Sequence, residues 1–166
     1  SEDQDRVKAG RDLLFKALDK TIDVGSSNLC GVIHSALQKN DAPRTNAGYE
    51  NSLSVIRDLA EKANENNVTL SLEVVNRYET NIMNTAQEAL DYINKLGDTN
   101  VKVHLDTYHM NIEENNYLEP IKEIGKDRLG MFHFGENHRG YLGSGHINFA
   151  ETFKSLKEIN YEGIIT

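Results

Sequence analysis

Residues 69–79 read TLSLEVVNRYE, an apolar run that ends in carboxylates at Glu73 and Glu79. The pattern recurs twice. VKVHLDTYH (101–109) ends in Asp106 and His109, and LGMFHFGENHR (129–139) carries His133, Glu136 and Arg139. Each run is short and apolar, which reads as a β-strand, and amphipathic helical stretches separate the runs. Asp106 follows Glu73 by 33 residues and His133 follows Asp106 by 27, each step about one βα unit. Ligand-type side chains repeated at strand ends with this period can converge at one rim of a parallel barrel, where such a fold does its chemistry.

Outward from this region the alternation continues. Residues 3–24 show an apolar stripe (Val7, Leu14, Ala17, Leu18, Ile22) near the helical period, stopped by Gly25-Ser26-Ser27-Asn28. Leu29 to His34 reads as a strand buried on both faces. Residues 46–66 predict a helix with Tyr49, Leu53, Ile56, Ala60 and Ala63 on one face. Strands are expected at Val68–Val75, Val101–Leu105 and Leu129–Phe134, and helices over 81–96, around 115–125 and about 148–160. Gly97 is placed as a helix-terminating glycine. A last strand starts at Gly163-Ile164-Ile165. Strict α–β alternation implies a parallel α/β fold. No GxGxxG follows the first strand and no Walker A motif occurs, which weakens nucleotide-binding versions. Five strands are about three short of a (βα)8 barrel. With the abrupt ends, this reads as an incomplete TIM-type barrel: one partial domain over 1–166, belonging to a longer protein.

The 166 residues suffice for one sizeable core, and the net charge of −8 argues against a nucleic-acid partner. No apolar run approaches a membrane span. One cysteine, Cys30, excludes an internal disulfide and fits a reducing, cytoplasmic setting.

Each candidate residue has a plain reading beside the chemical one. Glu73 lies inside an apolar strand, where a charge needs a partner or a metal, or else must reach solvent or an arginine. Glu79 suits a substrate hydroxyl or a helix N-terminus. Asp106 with His109 fits a metal or acid–base pair, and His109 could equally cap a turn. His104 shares the face of Asp106 and reads as a packed residue rather than a ligand. His133, flanked by Met and Phe, needs partners for its ring nitrogens, and two carboxylate-bearing strand ends before it favour metal ligation. Arg139 suits a polar substrate oxygen or a surface ion pair. The glycine-rich run 140–146 lacks a phosphate-loop lysine and reads as a mobile active-site loop. Carboxylate and imidazole donors without thiolate point to a hard or borderline divalent ion, Mn²⁺ or Co²⁺, with Mg²⁺ open.

EVVNRYETNIMNTAQEAL (73–90), VKVHLDTYHMNIEE (101–114) and HFGENHRGYLGSGHI (133–147) resemble, in order and spacing, the motifs of the ketose 3-epimerases. These are the D-tagatose/D-psicose (allulose) group of the xylose-isomerase-like barrels. The resemblance runs from the helix before the fourth strand into the eighth. It implies Glu73, Asp106 and His133 as metal ligands, with Glu73 also a catalytic acid–base. It implies Glu79, His109 and Arg139 as residues that hold the O1–O3 end of the ketose. The family's fourth ligand, a glutamate ending the eighth strand, would lie beyond Thr166. The implied reaction is epimerisation at C3 of a free ketose (D-fructose/D-psicose or D-tagatose/D-sorbose) through an enediolate, in a dimeric or tetrameric parent. Another barrel of the superfamily (a hydroxypyruvate isomerase or an inosose dehydratase) and a non-catalytic fragment are the competing readings.

Overall fold

The computed structural model describes residues 1–97 and 100–166. Its elements begin where the sequence supplies caps. Asp3 accepts the Asp5 and Arg6 amides to open α1 (Gln4–Asp23), and Thr45 accepts the Gly48 amide to open α2 (Asn46–Glu65). Helix α3 (Ala86–Leu96) starts at a full capping box between Thr85 and Glu88 and stops at Gly97, which is left-handed at φ 69°. This trims the helix expected over 81–96: Ile82 is still buried, but it lies in the preceding loop.

Strands β1 (Asn28–Gly31), β2 (Thr69–Glu73), β3 (Val101–Asp106), β4 (Leu129–His133) and β5 (Ile164–Ile165) form one sheet in sequential order, and every pairing is parallel. Sequential parallel strands with intervening helices make an α/β barrel wall, here incomplete. Leu70, Leu72, Val103, Leu105 and Phe132 point to the helices and are fully buried. They form one core with Leu53, Ile56 and Leu59 of α2 and Ala89, Tyr92 and Ile93 of α3. Period-two alternation turns Ser71, Glu73, His104, Asp106, Met131 and His133 to the other face.

Two further differences from the sequence reading have local causes. The first strand ends at Gly31 rather than His34, because Gly31 sits at φ 124° and the Ile33 amide folds back to the Gly31 carbonyl. An extra helix, α4 (Thr107–Glu113), follows β3 directly, capped by Asp106 through the Tyr108 amide. The helix expected around 115–125 is α5 (Leu118–Arg128), with non-helical Gly125 inside it, and α6 (Phe149–Glu158) completes the set. No helix among the described residues is long and apolar enough to cross a membrane.

Candidate functional site

Strand register assembles the site. Glu73 pairs with His104, and Asp106 pairs with His133. The second pairing depends on a register shift. Val103 faces Leu129 and His104 faces Met131, so Gly130 is the extra residue of a bulge. Without the shift Asp106 would pair with Phe132, and the next ligand-type side chain would face the helices. Only glycine fits at the bulge. A Cβ at position 130 would overlap Ser71 Oγ and come within 2.8 Å of Lys102 Cβ. Gly135 plays a similar part at the strand end, where a Cβ would lie 2.9 Å from Asp106 Oδ1. Thr107 Oγ1 ties β3 to β4 by donating to the Gly135 carbonyl (2.7 Å) and accepting its amide (2.8 Å).

The carboxylate of Glu73 is the hub. Its Oε1 lies 3.7 Å from His109 Nε2 and its Oε2 lies 4.0 Å from His104 Nδ1. Asp106 Oδ2 is 3.9 Å from His133 Nδ1, and the His133 ring stands nearly perpendicular to that of His104, with centroids 4.0 Å apart. Two triplets bring one donor atom from each residue within 4.8 Å: Glu73, His104 and His133, and Glu73, Asp106 and His109. The three ligands expected from the sequence are thus divided between two overlapping triplets that share Glu73. His104, set aside as a packed residue, enters one of them. The signal was available, since alternation puts His104 on the face of Asp106.

Electrostatics favour a cation here. Burial first, then the Asp106 and Glu79 carboxylates, raise the Glu73 pKa to about 7, against a smaller opposing pull from Arg139. An added divalent ion would relieve this crowding of negative charge, and the carboxylate–imidazole donor set suits one of hard or borderline type. His104 is fully buried, and neither ring nitrogen has a hydrogen-bond partner. Burial, followed by the neighbouring His133 and His109 rings, lowers its pKa to about 3, so it is a neutral imidazole.

Beside the hub lies a polar group from three elements. Asn76 donates its backbone amide (3.1 Å) to Nδ1 of buried His109. Burial lowers the His109 pKa, so the ring is neutral and its remaining proton sits on Nε2, the nitrogen nearest Glu73. Arg139 Nη2 donates to Glu79 Oε1 (2.9 Å), and its guanidinium lies 4.1 Å from the centre of the Tyr108 ring. Arg139 and Glu79 are thus in contact, and Asn76 Nδ2 links Glu79 to His109. Loop 135–147 is not loosely strung. The Glu136 side chain, wholly buried, accepts amides from its own loop. The sequence shows Glu136 only as one of the ligand-type groups that end the run 129–139; its use here is hidden, because a carboxylate that serves backbone amides leaves no periodic signature.

Comparison with known proteins agrees with this geometry. The family model described as "Xylose isomerase-like TIM barrel" matches residues 1–166. The chain is 47% identical over 163 residues to a ketose 3-epimerase of Arthrobacter globiformis, covering 98% of this chain and 56% of that protein. It is 48% identical over 166 residues to an L-ribulose 3-epimerase of Methylomonas sp. (strain DH-1), covering 100% of this chain and 58% of that protein. A crystal structure of D-allulose 3-epimerase from Methylomonas sp. in complex with D-allulose superposes with a TM-score of 0.97 at 48% identity, over all of this chain and 57% of the other. The chain thus spans somewhat over half the length of these relatives. With the matched family model, the parallel βα wall and the ligand-type side chains at its strand ends, the chain belongs to the xylose isomerase-like TIM barrel family.

Proposed function

We propose that the protein carrying this chain is a ketose 3-epimerase that inverts C3 of a free ketose such as D-fructose/D-psicose or D-tagatose/D-sorbose. The observation that carries the reading is the convergence of Glu73 with a donor group of the kind a sugar diol requires. His109 offers an Nε2 proton and Arg139 a guanidinium, both beside a carboxylate of raised pKa. The relatives named above, 47% and 48% identical, are themselves a ketose and an L-ribulose 3-epimerase.

By the family resemblance, Glu73, Asp106 and His133 would hold a divalent ion (Mn²⁺ or Co²⁺, with Mg²⁺ open); each belongs to one or both of the two donor triplets, and His104 stands against His133. Such an ion supplies Lewis-acid stabilisation of negative charge on neighbouring sugar oxygens. Glu73 takes the C3 proton on one face of the sugar, as a carboxylate that reaches the substrate can. His109 Nε2–H donates to a sugar oxygen and stabilises charge that develops there. Glu79 and Arg139 orient the O1–O3 end, with Arg139 braced against Tyr108. The acid on the opposite face corresponds, by the family resemblance, to a glutamate that ends the eighth strand, beyond Thr166. Association into dimers or tetramers and a cytoplasmic setting belong to the same proposal.

The test is turnover of D-fructose by the full-length protein that carries this chain, with Mn²⁺ and with EDTA, followed by NMR. D-psicose formed with Mn²⁺ and lost with EDTA is the expected result. An absence of any C3 epimer from D-fructose, D-tagatose or L-ribulose, at saturating Mn²⁺ or Co²⁺, overturns the reading.

A further inference from the structure

Loop 135–147 is built around one carboxylate. Glu136 Oε2 accepts the Asn137 amide at 3.0 Å and the Ile147 amide at 3.5 Å, and Oε1 accepts the Gly143 amide at 3.1 Å. The Gly145 amide is a fourth donor. Gly145 has to be glycine, because a Cβ there would overlap both Glu136 Oε2 and Asn137 Oδ1. Asn137 Oδ1 in turn accepts the His146 amide at 3.0 Å. The side chain is fully buried, and no cation pairs with it among the described residues. Its negative charge is met by backbone amides alone, an inverted form of the amide nests that bind free anions. Burial pushes this carboxyl up, but the amides of Asn137, Gly145, Ile147 and Gly143 outweigh it and hold the net shift downward.

The main chain of Glu136 continues the device. Its carbonyl accepts the Arg139 amide at 2.9 Å, closing a turn in which Arg139 itself is left-handed at φ 57°. A non-glycine residue in that conformation needs surrounding structure to hold it. From there the guanidinium reaches Glu79 and Tyr108.

We propose that Glu136 is a positioning residue: its carboxylate gathers the backbone of residues 137–147 and thereby fixes where the Arg139 guanidinium meets the substrate. This rests on the ketose reading only for what Arg139 binds. Glu136→Gln keeps the side-chain shape but turns an NH₂ group towards amides that need acceptors, so at least one of them loses its partner.

The experiment has two arms. In the full-length protein, amide hydrogen exchange of Asn137, Gly143 and Ile147 is expected to speed up by about 10-fold or more in Glu136→Gln, while Val103 and Leu105 keep their protection. The Arg139 guanidinium ¹⁵N signals should move to the positions of a free arginine. Unchanged protection, or an unmoved Arg139, overturns the proposal whether or not the protein acts on ketoses. In the full-length protein, Glu136→Gln is expected to raise KM for the ketose about 10-fold with kcat altered less than about 3-fold. In an Arg139→Ala background it should add less than about 2-fold. Equal losses in both backgrounds would mean that Glu136 does not act through Arg139, and would also overturn the proposal. If wild type shows no ketose turnover the functional reading fails, and the exchange arm still decides the role of Glu136.

Discussion

Glu73 bears opposing demands. It is 16% exposed at the side chain, and its pKa is raised from 4.5 to about 7, chiefly by burial. A carboxyl with a raised folded pKa contributes stability below its unfolded pKa, and that contribution disappears as pH rises through the folded value. At pH 8 the ion-free protein therefore holds a strained anion, worth about 3 kcal/mol at the ordinary conversion. Glu73→Gln should raise urea stability at pH 8 without metal by that amount and abolish the stabilisation that Mn²⁺ gives wild type; an unchanged midpoint would refute the buried-charge argument. His34 works the other way. It is 3% exposed with both ring nitrogens unpartnered, and burial lowers its pKa from 6.5 to about 3. Below pH 6.5 the unfolded chain takes up a proton that the folded chain refuses, so stability falls as pH falls, by about 2 kcal/mol from this group at pH 5. His34→Phe should flatten the acid limb of a pH–stability curve by roughly that much; an unaltered curve would show that His34 protonates without unfolding. At this scale the sequence disclosed Glu73, Asp106 and His133 because polar residues interrupt apolar runs. It concealed His34, whose burial depends on the turn at Gly31, and the use of Glu136, whose partners are main-chain amides.

The elements were legible where a cap or a period marks them. Thr85, Glu88 and Gly97 bracket α3, and the stripe Tyr49, Leu53, Ile56, Ala60, Ala63 is buried along α2 as its spacing requires. Helix α4 escaped notice because at 7 residues it is too short to show a period, and its cap, Asp106, was already read as a metal ligand. The bulge at Gly130 was equally hidden: a glycine inside a strand pattern signals a bulge only once the neighbouring strand's register is known. This bulge is what lines His133 up with Asp106. Gly130→Ala is therefore expected to destabilise the chain by about 1–3 kcal/mol, the range for overpacking, in chemical unfolding. It should also weaken Mn²⁺ binding more than a helix-face substitution of equal stability effect. Wild-type stability with unaltered Mn²⁺ affinity would show that the register does not depend on this glycine.

For the molecule as a whole, strict α–β alternation sufficed to indicate a parallel barrel wall, and the sheet order β1 to β5 agrees with it. The outer edges of β1 and β5 are unpaired among the described residues, and unpaired parallel edges favour pairing with other chains. The isolated chain should accordingly show a mass in light scattering that rises with concentration; a constant monomer mass from micromolar to millimolar would contradict this. The proposed transfer of the C3 proton by Glu73 can be examined without waiting for net epimer formation. The full-length protein is incubated with Mn²⁺ and D-fructose in heavy water, and deuterium is located on the sugar by NMR. Deuterium at C3, absent at C1 and lost in Glu73→Gln, is the predicted result. Deuterium at C1, or C3 exchange that survives Glu73→Gln, would contradict it.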